Sequence, residues 1–192
     1  LPVSRILKDT YHLEGRQVLL FVGRLIDIKN LFFLLDAFAL VVKRYPKSIL
    51  LFVGDGDQRE ALERHAERNG LANHVIFAGK KQGEDLYACY NIGQIFVLPS
   101  YYERFGAVVN EALLAGCYTL CSVVAGAACL IEPRKNGDLF DPASKTDLAE
   151  KLAEGLEDCE GLRQISLKAN KMGYSYDQYI ISFFNQLNSI IG

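Results

Sequence analysis

Neither sign of charge dominates the 192-residue sequence: 21 lysines and arginines stand against 23 aspartates and glutamates, a formal net charge of −2. The chain therefore lacks the basic excess that holds nucleic-acid phosphates, and no nucleic-acid partner is expected. Cysteine is sparse and odd in number, with five residues at positions 89, 117, 121, 129 and 159 and no CxxC pair. That count does not read as a disulfide framework or a metal site. Most of these cysteines lie in apolar segments, so buried free thiols in a reducing, cytoplasmic compartment are expected. His12, His65 and His74 have no metal-ligand spacing, and no Ser-His-Asp constellation can be read. No apolar stretch has the purity of a membrane span. Residues 31–42 are interrupted by Asp36, and residues 107–131 carry Asn110, Glu111 and two glycines. The first sixteen residues are polar and mixed, unlike a signal peptide, and read as a linker into the domain that follows. No internal repeat or low-complexity tract is visible.

What is present is an ordinary globular composition, 50% hydrophobic and 23% charged, of a length that suits one sizeable domain. Short apolar runs at 18–22, 49–53, 75–78, 95–98 and 118–122 have strand length, and a sixth strand is expected at 137–140. Helical patterns separate them. Asn30 is expected to cap a helix to about residue 45, ahead of Pro46. Asp57 is expected to start one that runs to Asn69, with Gly70 at C′. Further helices are expected at 84–90, 106–116 and 145–156, and the remainder to residue 191 reads as mostly helical. Strands apolar on both faces, alternating with helices, mean an α/β doubly wound parallel sheet, Rossmann-like. Ligands in such sheets bind beyond the carboxyl ends of the strands.

The segment QIFVLPSYYERFGAVVNEALLAG, residues 94–116, is the most informative. A strand ends at Pro99, a polar loop carries Glu103, and a helix opens near Phe105 and Gly106. Glu111 follows about 8 Å into that helix, at ~1.5 Å per residue. A helix N-terminus between two carboxylates suits a ligand with phosphates at its centre and hydroxyls at both ends, such as a nucleotide-sugar. The plainer alternative makes Glu103 a complement to the helix dipole and Glu111 a solvated residue. The apolar neighbours Val108, Val109, Ala112, Leu113 and Ala115 favour the first reading.

Other loops add candidates. In GRLIDIKN, residues 23–30, Gly23 permits close approach while Arg24 and Lys29 offer cations to a phosphate. Taken alone, such a loop is more often an ordinary surface turn. GDGDQRE, residues 54–60, is half of a dinucleotide fingerprint, with Arg59 in place of the third glycine. No acidic residue ends the next strand, so a nicotinamide or flavin dinucleotide is disfavoured and a tight turn is expected. AGKKQ, residues 78–82, can edge a nucleobase with Lys80 or Lys81, or be a solvated turn. Tyr101 and Tyr102 can wall the site or pack the loop, and packing is expected.

Together the motifs FVGRL…KN, LLFVGDGDQRE, VIFAGKK, IFVLPSYYERFGAVVNEALLAG and NGDLFDP resemble the C-terminal, donor-binding domain of retaining GT-B glycosyltransferases of family 4, the glycosyl transferases group 1. The resemblance spans about residues 17 to 142, and its specific part is the E-x7-E spacing joined to Arg24 and Lys29. It implies that Arg24 and Lys29 neutralise the departing diphosphate, that Glu111 holds ribose hydroxyls, and that Glu103 holds donor-sugar hydroxyls. It places Lys80 beside the base, and the amides of Phe105, Gly106 and Ala107 against sugar and phosphate. Gly23 falls in the same donor site. It implies a nucleotide-diphosphate sugar as substrate, with no metal and no cofactor.

The resemblance also implies an acceptor-binding domain preceding residue 1, a domain at 17–174, and a last helix at 175–192 crossing back to the missing partner. The full-length enzyme would build bacterial surface polysaccharide in the cytoplasm, with peripheral membrane association compatible. Departures are Arg104 where glycine or proline is common, the loop GAACLIEPRKNG with Cys129 where a glutamate often stands, and the pair Cys117 and Tyr118. Two other functions fit the same motifs less well: a nucleotide-sugar epimerase of the same fold, and a non-catalytic nucleotide-binding module.

Overall fold

The structure is a computed structural model, and it describes residues 2–170. Six strands form one wholly parallel sheet: β1 (Gln17–Val22), β2 (Ser48–Val53), β3 (Val75–Phe77), β4 (Ile95–Leu98), β5 (Tyr118–Ser122) and β6 (Gly137–Phe140). Their spatial order is β3-β2-β1-β4-β5-β6. Successive side chains on a strand face opposite ways, so each apolar run feeds two cores. Leu19, Phe21, Leu50, Phe52 and Val97 enter one core, while Leu20, Val22, Leu51, Val53 and Leu98 enter the other. Helices α2 (Leu31–Val41), α3 (Arg59–Arg68) and α6 (Lys145–Glu157) cover the first face. Helices α1 (Pro2–Thr10), α4 (Gly83–Ile92) and α5 (Ala107–Leu114) cover the second. Helix α7 (Cys159–Asn170) follows α6 and packs near the start of β5, where Ser166 Oγ donates to the Cys117 carbonyl at 3.1 Å. The expected α/β doubly wound, Rossmann-like sheet is the one observed.

The chain runs outward from β1 through β2 to β3, then returns to place β4 on the other flank of β1. That reversal is the topological switch point of the sheet, and the loops after β1 and β4 diverge there to open a crevice. Both charged motifs of the sequence therefore meet at one place.

Local differences have identifiable causes. Asn30 does not cap α2 with its side chain: it sits in the left-handed region at φ 56°, and its amide donates to the Pro142 carbonyl at 3.1 Å. The helix stops at Val41, short of residue 45. Asp57 does not cap α3, which begins at Arg59 after backbone bonds from Gln58 to the Leu25 carbonyl and from Arg59 to the Gly56 carbonyl. Gly70 occupies C′ at φ 71°, as expected. The stretch read as a linker contains α1, and Leu7 and Leu13 are buried in the second core. The helix expected over 175–192 lies outside the described residues. Among the described residues, no helix is long and apolar enough to cross a membrane.

Four of the cysteines, Cys89, Cys117, Cys121 and Cys159, are buried and free, whereas Cys129 is exposed. Burial pushes the thiol of Cys89 up to about 11, and those of Cys117 and Cys121 up to about 12.

Candidate functional site

The crevice is built by the loop after β1 and the loop after β4. Gly54 and Gly56 set the first loop's position. A side chain at Gly54 would start 1.8 Å from the Gly23 carbonyl oxygen, and one at Gly56 would start 2.3 Å from that of Leu25. The glycines of GDGDQRE therefore let the β2 loop pack against the β1 loop, the tight-turn role expected of them. Gly23 donates its N–H to the Val53 carbonyl at 3.0 Å, and Leu25 donates to Asp55 at 2.9 Å. With Leu25 wholly buried, the backbone beneath Arg24 is held in place.

Above that anchor, Lys29 and Glu103 form a hydrogen-bonded ion pair across the switch point. Their side chains are only 14% and 17% exposed, so solvent screens the pair weakly. A second tie runs alongside: Tyr101 donates its hydroxyl to the Asp27 carboxylate and its N–H to the Ile28 carbonyl, the latter at 3.2 Å. The Tyr101 phenol is raised above its ordinary range, chiefly by that hydrogen bond. Tyr102 accepts from Arg104 Nε at 3.1 Å. Both tyrosines are about half exposed and serve polar contacts, in place of the packing role expected of them. Arg24 is exposed at the crevice mouth, and no ion pair engages it among the described residues.

The β4 loop turns into α5 at Gly106, which is buried at φ 86°. An added Cβ there would lie 3.0 Å from Leu98 and 3.2 Å from Ala127. Glycine is thus required both by conformation and by space. The first-turn amides of Ala107 and Val108 have no carbonyl one turn behind them, leaving an anion-seeking helix end beside Glu103. The 126–130 segment closes over this loop: Gly126 donates to the Glu103 carbonyl at 3.0 Å, and a Cβ on Gly126 would be 2.1 Å from the Arg104 carbonyl. Cys129 is turned outward and donates to the Gly126 carbonyl at 3.2 Å.

Glu111 sits one turn further along α5 and takes no part in the Lys29 pair. Its carboxylate accepts the Tyr90 hydroxyl at 2.7 Å, across the α4–α5 contact. A groove of about 500 Å³ opens here, lined by Tyr87, Tyr90, Asn91, Glu111, Leu114 and Ala115. Lys80 is exposed on the loop after β3, two strands from β1 and about 10 Å away at the spacing of neighbouring strands. The structure thus joins Lys29 to Glu103, with Gly23 and Arg24 on the same segment as the lysine and Phe105, Gly106 and Ala107 directly after the glutamate; Glu111 lies further along α5 and Lys80 on the loop after β3. Two residues were missed by sequence reasoning. Tyr90 entered the reading only as the end of the helix expected over 84–90. Ser100, after the end of β4, is wholly buried and its hydroxyl has no hydrogen-bond partner among the described residues. Among the described residues, no three His, Cys, Asp or Glu side chains group as metal ligands.

Cations, a helix N-terminus and carboxylates lie near the switch point, where open α/β sheets bind their ligands. The family is more specific: residues 4–172 match the model of the glycosyl transferases group 1, and the chain belongs to that family. It is 32% identical over 136 residues to an uncharacterized glycosyltransferase of Methanocaldococcus jannaschii, covering 71% of this chain and 35% of that relative. The chain thus spans about a third of that protein's length.

Among solved structures it resembles HepE of Anabaena, crystallised with UDP, at a TM-score of 0.83 and 24% identity, over 99% of this chain and 52% of that one. It also resembles the C-terminal domain of LpcC, a group 1 glycosyl transferase of Francisella tularensis. There the TM-score is 0.75 at 21% identity, over 88% of this chain and 93% of that one. At these identities the likeness establishes the fold, which matches that of GT-B glycosyltransferases.

Proposed function

We propose that the chain is the C-terminal, donor-binding half of a retaining GT-B glycosyltransferase. It would move a hexosyl group from a nucleotide-diphosphate sugar to a glycan or lipid-linked acceptor in bacterial surface polysaccharide synthesis. The observation that carries this reading is the Lys29–Glu103 pair at the switch point, beside the open N-terminus of α5 and Arg24, which no ion pair engages among the described residues.

In the resting domain Lys29 and Glu103 neutralise each other. A donor diphosphate entering between Arg24 and the α5 amides offers Lys29 a denser anion. Lys29 turns to the phosphates, and Glu103 is released to accept hydrogen bonds from the hexose hydroxyls. As the bond from the anomeric carbon to the phosphate oxygen breaks, negative charge grows on the diphosphate. Arg24, Lys29 and the helix end are already placed to stabilise it, which is the role a metal plays elsewhere. Glu111 accepts the ribose hydroxyls, and Lys80 borders the base.

The acceptor and the groups that steer it belong to a preceding domain. The full-length protein works in the cytoplasm, with peripheral contact at the membrane that carries lipid-linked acceptors. Calorimetry on the 192-residue chain tests the reading. UDP or another nucleoside diphosphate binds, and no sugar is transferred from its nucleotide-sugar. Sugar transfer by this chain alone, or indifference to every nucleoside diphosphate, refutes it.

A further inference from the structure

Glu111 is one carboxylate on a two-turn stretch of helix beside a groove, and left to itself such a side chain samples several rotamers. The structure removes that freedom. Tyr90 is 1% exposed, yet its hydroxyl reaches the Glu111 Oε2 at 2.7 Å. The tyrosine is itself held at both ends. Its ring lies 6.1 Å from that of Phe96 on β4, and its carbonyl accepts from the buried Cys117 Sγ at 3.3 Å. A phenol carried into the core normally ends on a backbone acceptor or water; this one ends on the carboxylate that flanks the crevice.

We propose that Tyr90 is the positioning residue for ribose recognition: it clamps one oxygen of Glu111 so that the other is presented to the ribose hydroxyls. The inference rests on the assignment of Glu111 to the ribose. It makes the domain selective for ribonucleotide over deoxyribonucleotide donors, because a fixed acceptor rewards the 2′-hydroxyl more than a mobile one does. Burial, together with donation to Glu111, holds the phenol protonated, so the clamp does not titrate at neutral pH.

The test compares the affinities of UDP and 2′-deoxy-UDP for the full 192-residue chain, for Tyr90→Phe and for Glu111→Gln. The wild type prefers UDP. Tyr90→Phe keeps the ring and its packing, and its preference shrinks by about two- to tenfold, the worth of a hydrogen bond. Glu111→Gln loses the preference as well, with Tyr90 intact. A purely structural tyrosine would shift both affinities alike and leave their ratio unchanged. An unchanged or larger ratio in Tyr90→Phe, with Glu111→Gln still losing it, overturns the clamp and keeps the ribose assignment. A ratio untouched by Glu111→Gln overturns the ribose assignment and the clamp with it.

Should Tyr90→Phe fail to melt cooperatively, NMR on tyrosine-labelled wild type reads the hydroxyl proton directly. UDP slows its exchange more than 2′-deoxy-UDP does, and equal protection by both ligands overturns the proposal.

Discussion

Replacing Glu103 with glutamine separates the two functions assigned to the crevice. The change keeps the side-chain volume and removes one charge. At 14% and 17% exposure the Lys29–Glu103 pair lies between the surface and buried limits. Two unit charges 4 Å apart attract by about 4 kcal/mol at an effective dielectric of 20. Desolvation and side-chain ordering reduce the net worth to roughly 1–2 kcal/mol. The variant domain therefore melts about 2–8 °C lower, at ~2–4 °C per kcal/mol for a chain of this size.

The same energy opposes diphosphate binding in the wild type, because Lys29 must leave Glu103 to reach the phosphates. Without that rival, Glu103→Gln binds UDP as well as the wild type or up to roughly tenfold better. A nucleotide-sugar behaves oppositely. It loses hydrogen bonds to a charged acceptor worth ~1.5–3 kcal/mol, so its advantage over UDP falls by about tenfold or more. Calorimetry with both ligands, and a melting curve with and without UDP, read all three effects. UDP raises the variant's melting temperature more than the wild type's, since the diphosphate replaces the missing anion beside Lys29. Weaker UDP binding in a variant that still melts cooperatively would refute the division between phosphate and sugar.

Arg24→Ala and Lys29→Ala each weaken UDP binding and reduce its salt dependence, measured by titration over a range of ionic strength; an unaltered salt slope counts against both as phosphate ligands. Gly54→Ala places a methyl 1.8 Å from the Gly23 oxygen, so it destabilises the domain by roughly 3 kcal/mol or more, seen in denaturant melts; near-wild-type stability would show that the loop yields. A thiol reagent modifies Cys129 alone in the native chain and all five cysteines after denaturation; rapid native labelling beyond one thiol contradicts the burial. The thiols of Cys89, Cys117 and Cys121 are raised from 9.0 in the folded state, so the unfolded chain loses these protons first. Their contribution to stability is complete below pH 9.0 and is lost as pH rises towards 11–12, which thermal melts against pH will show.

Much of this architecture was legible in the chain itself. The apolar runs at β1, β2, β4 and β5 and the helices between them follow from local periodicity, and periodicity is decided by neighbours in sequence. The E-x7-E spacing, with Gly106 between its carboxylates, likewise placed a helix opening among charged groups, because a glycine in the left-handed region leaves a signature in the sequence. Helix starts were less legible. Asn30 and Asp57 have capping chemistry, but the Asn30 amide reaches the Pro142 carbonyl, 112 positions away, and backbone bonds close the turn before α3.

The contacts that give the site its chemistry were decided only in three dimensions. Lys29 meets Glu103 across 74 positions because β4 returns to the flank of β1, and strand order is not written in the pattern of any one strand. Tyr90 meets Glu111 because α4 and α5 both contribute to the core on one face of that sheet. Local sequence sets which segments become strands and helices, since those choices depend on a few consecutive residues. The sheet's order sets which loops and helix faces become neighbours, since the burial of both its faces is a property of the whole chain.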